Sequence, residues 1–207
     1  MANVTWNSAD KVSITLSGTN SLTATSGAGV SGVRTTGLQG SGKYYFEFLG
    51  TTLGGTNLWG VANAAAVLST ALNTNLNIAT VARSGTVIIN NVQQGVTALL
   101  GTIANGNIVG VALDVTNNLI WFRIAPSGNW NASGTGNPTT GVGGFSITSI
   151  ATGLYGFFAA NGSGIVTTAN FGDTAFSGAV PSGFTSGFPT GGVPPTSGLA
   201  IRAMVLA

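Results

Sequence analysis

The sequence predicts an all-β protein: a two-sheet antiparallel β-sandwich. Three observations carry this. Short β-rich runs recur at roughly ten-residue intervals with Gly, Asn and Ser between them, the rhythm of sandwiches and barrels. Charged residues make up only 5% of the 207 positions, too few for the Lys-, Glu- and Arg-rich faces of long surface helices. Apolar residues, at 43%, still suffice for a full core in one domain of this length.

The expected strands, in order, begin with Val12–Leu16, Ser21–Thr25, Val30–Thr35, Lys43–Leu49, Leu58–Ala62, Ile78–Arg83 and Thr86–Asn90. They continue with Ile108–Asp114, Leu119–Ile124, Gly144–Ile147, Leu154–Ala159 and Ile165–Phe171. Ala64–Leu72 alone reads as helical, and the Asn-rich stretch after it favours a loop or a single turn.

Alternation assigns the faces. Tyr44, Phe46 and Phe48 share one side of their strand, and Lys43, Tyr45 and Glu47 the other. Val109, Val111 and Leu113 oppose Gly110 and Ala112, whose small size lets a second layer approach. Ile120, Phe122 and Ile124 oppose Trp121 and Arg123. Both faces of this hairpin are apolar enough to be covered, as in central strands of a packed sandwich. Val115–Asn118 closes it, because Asn117 and Asn118 tolerate positive φ. Trp6 is expected to staple the N-terminal strand, and Trp59 and Trp121 to pack within strands.

At residue 179 the composition changes. The sandwich is assigned to residues 1–178, and 179–207 to a Gly/Pro-rich arm ending in an apolar strand. Leu199, Ile201, Met204 and Leu206 carry the apolar character of that end. Two readings stand: a last strand returning to its own sheet, or an arm docking on a neighbouring subunit.

The chemistry is bounded by absences in the sequence. With no Cys and no His, imidazole triads, thiolate nucleophiles and the usual zinc sites are excluded. The pI is about 9.4, yet it reflects six cations against four anions. Those cations are scattered, whereas nucleic-acid binding needs several phosphates neutralised together. No phosphate loop, membrane-spanning apolar run or Sec-type leader is expected.

The carboxylates are Asp10, Glu47, Asp114 and Asp173. Glycoside hydrolysis needs two at a set separation. Glu47 reads as a partner of Lys43 or Arg123 across the sheet, and Asp114 as an Asx-type turn residue. A calcium site at Asp114 with Asn117 and Asn118 would want more converging carboxylates. No catalytic residue, metal ligand or cofactor is expected.

Surface recognition remains. Asn129, Trp130 and Asn131 stand in a long loop, Ala125–Gly143. An exposed Trp between amides suits sugar stacking or a protein hot spot. The other reading folds Trp130 back to cap the sandwich and pin its loop.

Four segments bear a family likeness: GKYYFEFLG (Gly42–Gly50), LWGVAN (Leu58–Asn63), GNIVGVALDVTNNLIWFRI (Gly106–Ile124) and GLYGFFAANGSGIVTTANFG (Gly153–Gly172). Together they resemble the SPRY domain, a concanavalin A-like β-sandwich, over roughly residues 4–178. The third segment is the most specific. The chain departs from the pattern at Asn107, where the family more often has Asp, and at Gly156, where it often has Pro. TWNSADK (Thr5–Lys11) and the loop GNWNASGTGNPTTGVGG look like phage and bacterial SPRY-like forms.

The resemblance implies an interaction module that binds proteins through loops at one edge of the sandwich. The expectation is a non-enzymatic bacteriophage virion structural protein, a head-exterior decoration or a tail or fibre component. Its partners would be other virion proteins and itself, as a homo-oligomer. It would be made in the host cytoplasm without a signal peptide and carried on the particle surface. The alternative is a carbohydrate-binding adhesion or receptor-binding module acting through Trp130 on a host-cell glycan.

Overall fold

A computed structural model describes residues 2–70, 74–150 and 153–191. The strands are β1 (Trp6–Val12), β2 (Ile14–Ser17), β3 (Thr23–Ser26), β4 (Val30–Gln39), β5 (Lys43–Thr52), β6 (Thr56–Ala62), β7 (Ile78–Ala82) and β8 (Val87–Ile89). They continue as β9 (Val92–Gln94), β10 (Ile108–Asp114), β11 (Leu119–Ala125), β12 (Phe145–Ser146), β13 (Leu154–Asn161), β14 (Val166–Asn170) and β15 (Thr185–Ser186).

They form two sheets, as the alternation requires. One runs β1-β4-β13-β6-β7-β8-β9, and the other β12-β11-β10-β5-β14-β3-β2. Strand β15 lies parallel to β5 at Tyr44 and Tyr45, beyond the point where β14 ends opposite Glu47. All other pairings are antiparallel.

The inner faces make the core. Phe46, Phe48, Val109, Val111, Leu113, Ile120 and Phe122 of one sheet meet Trp59, Val61, Val81 and Phe158 of the other. Trp6 packs edge-on against Phe171 at 5.2 Å, and its indole N–H donates to the Leu22 carbonyl at 2.8 Å. It staples β1 as the sequence suggests. The Trp59 indole donates to Thr167 Oγ1 at 3.0 Å, so the polar edge of this core ring has a partner.

Three strands differ from expectation for local reasons. The run Val12–Leu16 is broken at Ser13, with φ +49°. Val12 ends β1, whose Trp6–Lys11 part was not among the expected strands, and Ile14–Leu16 belong to β2 in the other sheet. Strands β9 and β15 lack a period-2 apolar pattern and were not expected. Residues 64–70 form turns rather than a helix. Asn63 begins them by accepting the Ala65 N–H at 2.9 Å through its side chain, an Asx turn that competes with helix formation.

Beyond residue 178 the described chain stays on the sandwich. Phe188 is fully buried in the core, 4.9 Å from the Phe46 ring. Residues 188–190 run antiparallel to the N-terminal segment: Val4 N–H donates to Phe188 O (2.9 Å) and Thr190 N–H to Ala2 O (2.8 Å). Leu199, Ile201, Met204 and Leu206 lie outside the described residues.

Candidate functional site

The outer face of the β10–β11 sheet carries a second apolar cluster. Alternation turns Tyr45, Ala112, Trp121 and Arg123 outward, away from the core. Two segments cover them: the loop after β11 and the stretch from Phe176 to Phe184. Tyr45, Ala112, Trp121, Trp130 and Phe184 pack together, with Leu119, Phe176 and Val180 at the margin.

Trp130 sits inside this layer and is only 9% exposed. Its ring meets Tyr45 edge-on at 6.1 Å. The Arg123 guanidinium lies 4.3 Å from the indole centroid. With these contacts and its low exposure the indole is turned inward rather than presented.

Asn131 is buried beside it at φ +48°, a conformation Asn tolerates better than most residues. Its side chain accepts from Phe122 N–H (2.9 Å) and donates to Ile120 O (3.3 Å) and Gly143 O (2.8 Å). It thus serves the β11 edge where β12, paired only at Leu119 and Ile120, has ended. An amide is the side chain that can both accept and donate there. Asn129 is exposed at the rim. The structure therefore brings Trp130 and Asn131 into the covering layer and leaves Asn129 outside it.

Glu47 holds the other covering segment. It is buried, and three donors converge on it: Tyr45 Oη (2.5 Å) and Gly178 N–H (2.8 Å) on Oε1, and Ser177 N–H (2.9 Å) on Oε2. Its partners differ from those expected. Lys43 pairs instead with Asp114 at 2.9 Å, and Arg123 donates to the Ala179 carbonyl at 2.8 Å. Sequence spacing points across the sheet, whereas the segment that binds Glu47 arrives from 130 residues later in the chain. Burial first, and then the hydrogen bond to Glu47, push the Tyr45 hydroxyl well above its ordinary pKa. Tyr45 is therefore a neutral donor at physiological pH.

Asp114 closes the β10–β11 turn. Its oxygens accept from Asn117 N–H (2.9 Å) and Asn117 Nδ2 (2.8 Å) and pair with Lys43. Asn118 takes φ +55°. Burial alone would raise the Asp114 carboxyl. The hydrogen bonds from Asn117 and Lys43 outweigh it and hold the pKa below the usual value. A calcium ion would have to displace a lysine from this carboxylate, and no cluster of three or more metal-ligating side chains occurs among the described residues.

Beside Glu47 the same face opens into a groove of about 490 Å³. Leu49 and Ile108 form apolar walls, and Thr23, Thr168, Asn170 and Ser177 polar ones. No local pattern announces it, because its walls come from four distant segments.

No protein-family model matches the sequence, and no curated protein is significantly similar to it. The fold has clear counterparts. The SPRY domain of human HERC1 superposes with a TM-score of 0.63 at 17% identity, covering 82% of this chain and 99% of that domain. Stonustoxin matches with a TM-score of 0.52 at 17% identity, over 82% of this chain and 27% of the toxin chain. Two antiparallel sheets in this order, closed by the strands that carried the sequence likeness, give the chain the SPRY fold.

Proposed function

We propose that the chain is a non-enzymatic structural component of a bacteriophage virion, acting by protein–protein contact. The observation that carries the contact reading is the SPRY-like sandwich, whose outer face around Tyr45 and Trp121 is covered by its own loops. The likeness of TWNSADK and of the Trp130 loop to phage forms supports the particle assignment. Contact would then be made by loops and rims rather than through an open catalytic cleft.

The carboxylates support a non-enzymatic role. Asp10 pairs with Arg34 at 2.8 Å and Asp114 with Lys43. Glu47 is held by three donors. Acids held this way are occupied in holding the fold. Val67, Leu76, Val92, Val96 and Val142 project from loops and edges, each at least 48% exposed. They offer apolar contacts on a surface poor in charge. Self-association through Leu199, Ile201, Met204 and Leu206 belongs to the same proposal.

Mass spectrometry of purified particles, with immunogold labelling, tests this reading. The chain should be present in fixed stoichiometry at one location. Its absence from particles would overturn the proposal. The glycan alternative gains no support from the buried Trp130 ring, and a sugar would have to bind at Asn129 and the loop rim.

A further inference from the structure

We infer that a recess at the Thr56–Arg83 end of the sandwich binds the carboxylate of an acidic side chain on a partner protein, with Arg83 as its anchor. This rests on the protein-contact reading and names the chemistry of one contact.

The charge pairing of the chain points there. Lys11 donates to the Ile14 carbonyl at 2.7 Å. Arg34 and Lys43 hold Asp10 and Asp114. Arg123 lies over Trp130 and bonds Ala179. Among the described residues, Arg83 is the cation whose side chain makes no ion pair, side-chain hydrogen bond or ring contact. Its Nε is shut off from solvent and has no partner. A buried guanidinium N–H without an acceptor is unfavourable, and a planar carboxylate is the acceptor that fits its fork.

A second observation lies directly across the ladder. Arg83 N–H donates to the Asn57 carbonyl at 2.9 Å. Asn57 and Arg83 share the inward parity of Trp59 and Val81. The Asn57 side chain is 0% exposed, and neither its Oδ1 nor its Nδ2 has a partner. Unpartnered buried amides are uncommon and mark polar sites. Two such groups lie on adjacent strands, one of them cationic, and make this end of the interior polar.

In front of Arg83 is a recess of about 340 Å³, whose walls include Thr56, Ser84 and Thr102. The Thr56 and Thr102 hydroxyls can donate to a second oxygen, while the Ser84 hydroxyl already donates to Thr86 Oγ1 at 3.1 Å. Among the described residues no carboxylate side chain serves this recess: Asp10, Glu47 and Asp114 are engaged elsewhere, and Asp173 follows β14 in the other sheet. One guanidinium with neutral donors balances one negative charge. That matches a carboxylate better than a phosphate dianion, which would keep uncompensated charge in a partly desolvated site.

The test uses the full chain labelled with ¹⁵N. N-acetyl-glutamate N-methylamide is titrated in, with N-acetyl-glutamine N-methylamide and inorganic phosphate as comparators. The glutamate compound should shift the Arg83 Nε–H signal and the Ser84 and Thr56 amides saturably, at millimolar concentration as befits a single contact. Arg83→Gln, which breaks no bond within the chain, should weaken the Ser84 and Thr56 response at least ~tenfold. Arg83→Lys should lie between the two. An equal response to the glutamine compound, a tighter response to phosphate, or an unchanged response in Arg83→Gln would each overturn the inference. Virion location is read separately. A silent titration for a chain found in particles would overturn the recess alone, and a positive titration for a chain absent from particles would overturn only the particle reading.

Discussion

Arg123 and Trp130 are stacked cation on ring, 4.3 Å from guanidinium carbon to indole centroid. The two lie on different segments, one in β11 and one in the loop after it. Their contact ties the loop to the sheet it covers, and Tyr45 meets the same ring edge-to-face.

Trp130→Ala should therefore act as a core truncation rather than a surface change. Urea unfolding should show a loss of about 3 kcal/mol, in the range for large aromatic side chains replaced by Ala. A loss under about 0.5 kcal/mol, typical of surface positions, would show that the ring is not held as described.

Glu47→Gln keeps the shape and reverses part of the hydrogen-bonding sense. An amide nitrogen would face a backbone N–H or the Tyr45 hydroxyl. Replacing hydrogen bonds to a charged acceptor should cost about 1.5–3 kcal/mol. Hydrogen exchange at the Ser177 and Gly178 amides should accelerate, with the β13 amides changing only as global stability falls. Unaltered protection at these two amides would contradict the clamp.

Gly178→Ala probes the same contact from the other chain. A Cβ there would stand 2.6 Å from Tyr45 Oη and closer still to Arg123 Nη2. Overpacking of this kind costs about 1–3 kcal/mol. Thermal unfolding should reveal it, and Gly183→Ala is no control because that residue has φ +82°. Gly134→Ala, with open space at its Cβ, should be neutral.

Acid should weaken the β10–β11 turn through Asp114. Its folded-state pKa lies below the ordinary carboxylate value, so the folded state binds the proton less readily than the unfolded chain. The stability it contributes is fully present above the unfolded pKa and is lost as pH falls through the folded one. Asp114→Asn should flatten that part of the Tm-against-pH curve. An unchanged acid limb in the variant would assign the effect to other groups.

Much of the sandwich was legible because its strands obey a period of two. Phe46, Phe48, Val109 and Val111 alternate with outward residues, and all are buried where alternation puts them. The outer layer was not legible. Glu47 meets Ser177 and Gly178 across a separation no local pattern encodes. Asn131 does the work of an edge strand with a side chain, which strand patterning does not register. Strand β15 pairs through only two residues, too short to leave a period. The recess at Arg83 depends on a missing partner, and a sequence lists residues without showing which are paired.

Phe188 fills the core from the far end of the described chain, against Phe46 and Phe171, while residues 188–190 zip onto residues 2–4. The order of synthesis follows from this. Residues 2–4 and the core around Phe46 wait for residues 188–190 before their apolar surfaces are sealed. Contacts of such long sequence separation close late, because the loop entropy must be met before they form. The sandwich is thus complete only once Phe188 is available, and a nascent chain stalled before Phe188 would expose apolar core to whatever chaperone is near.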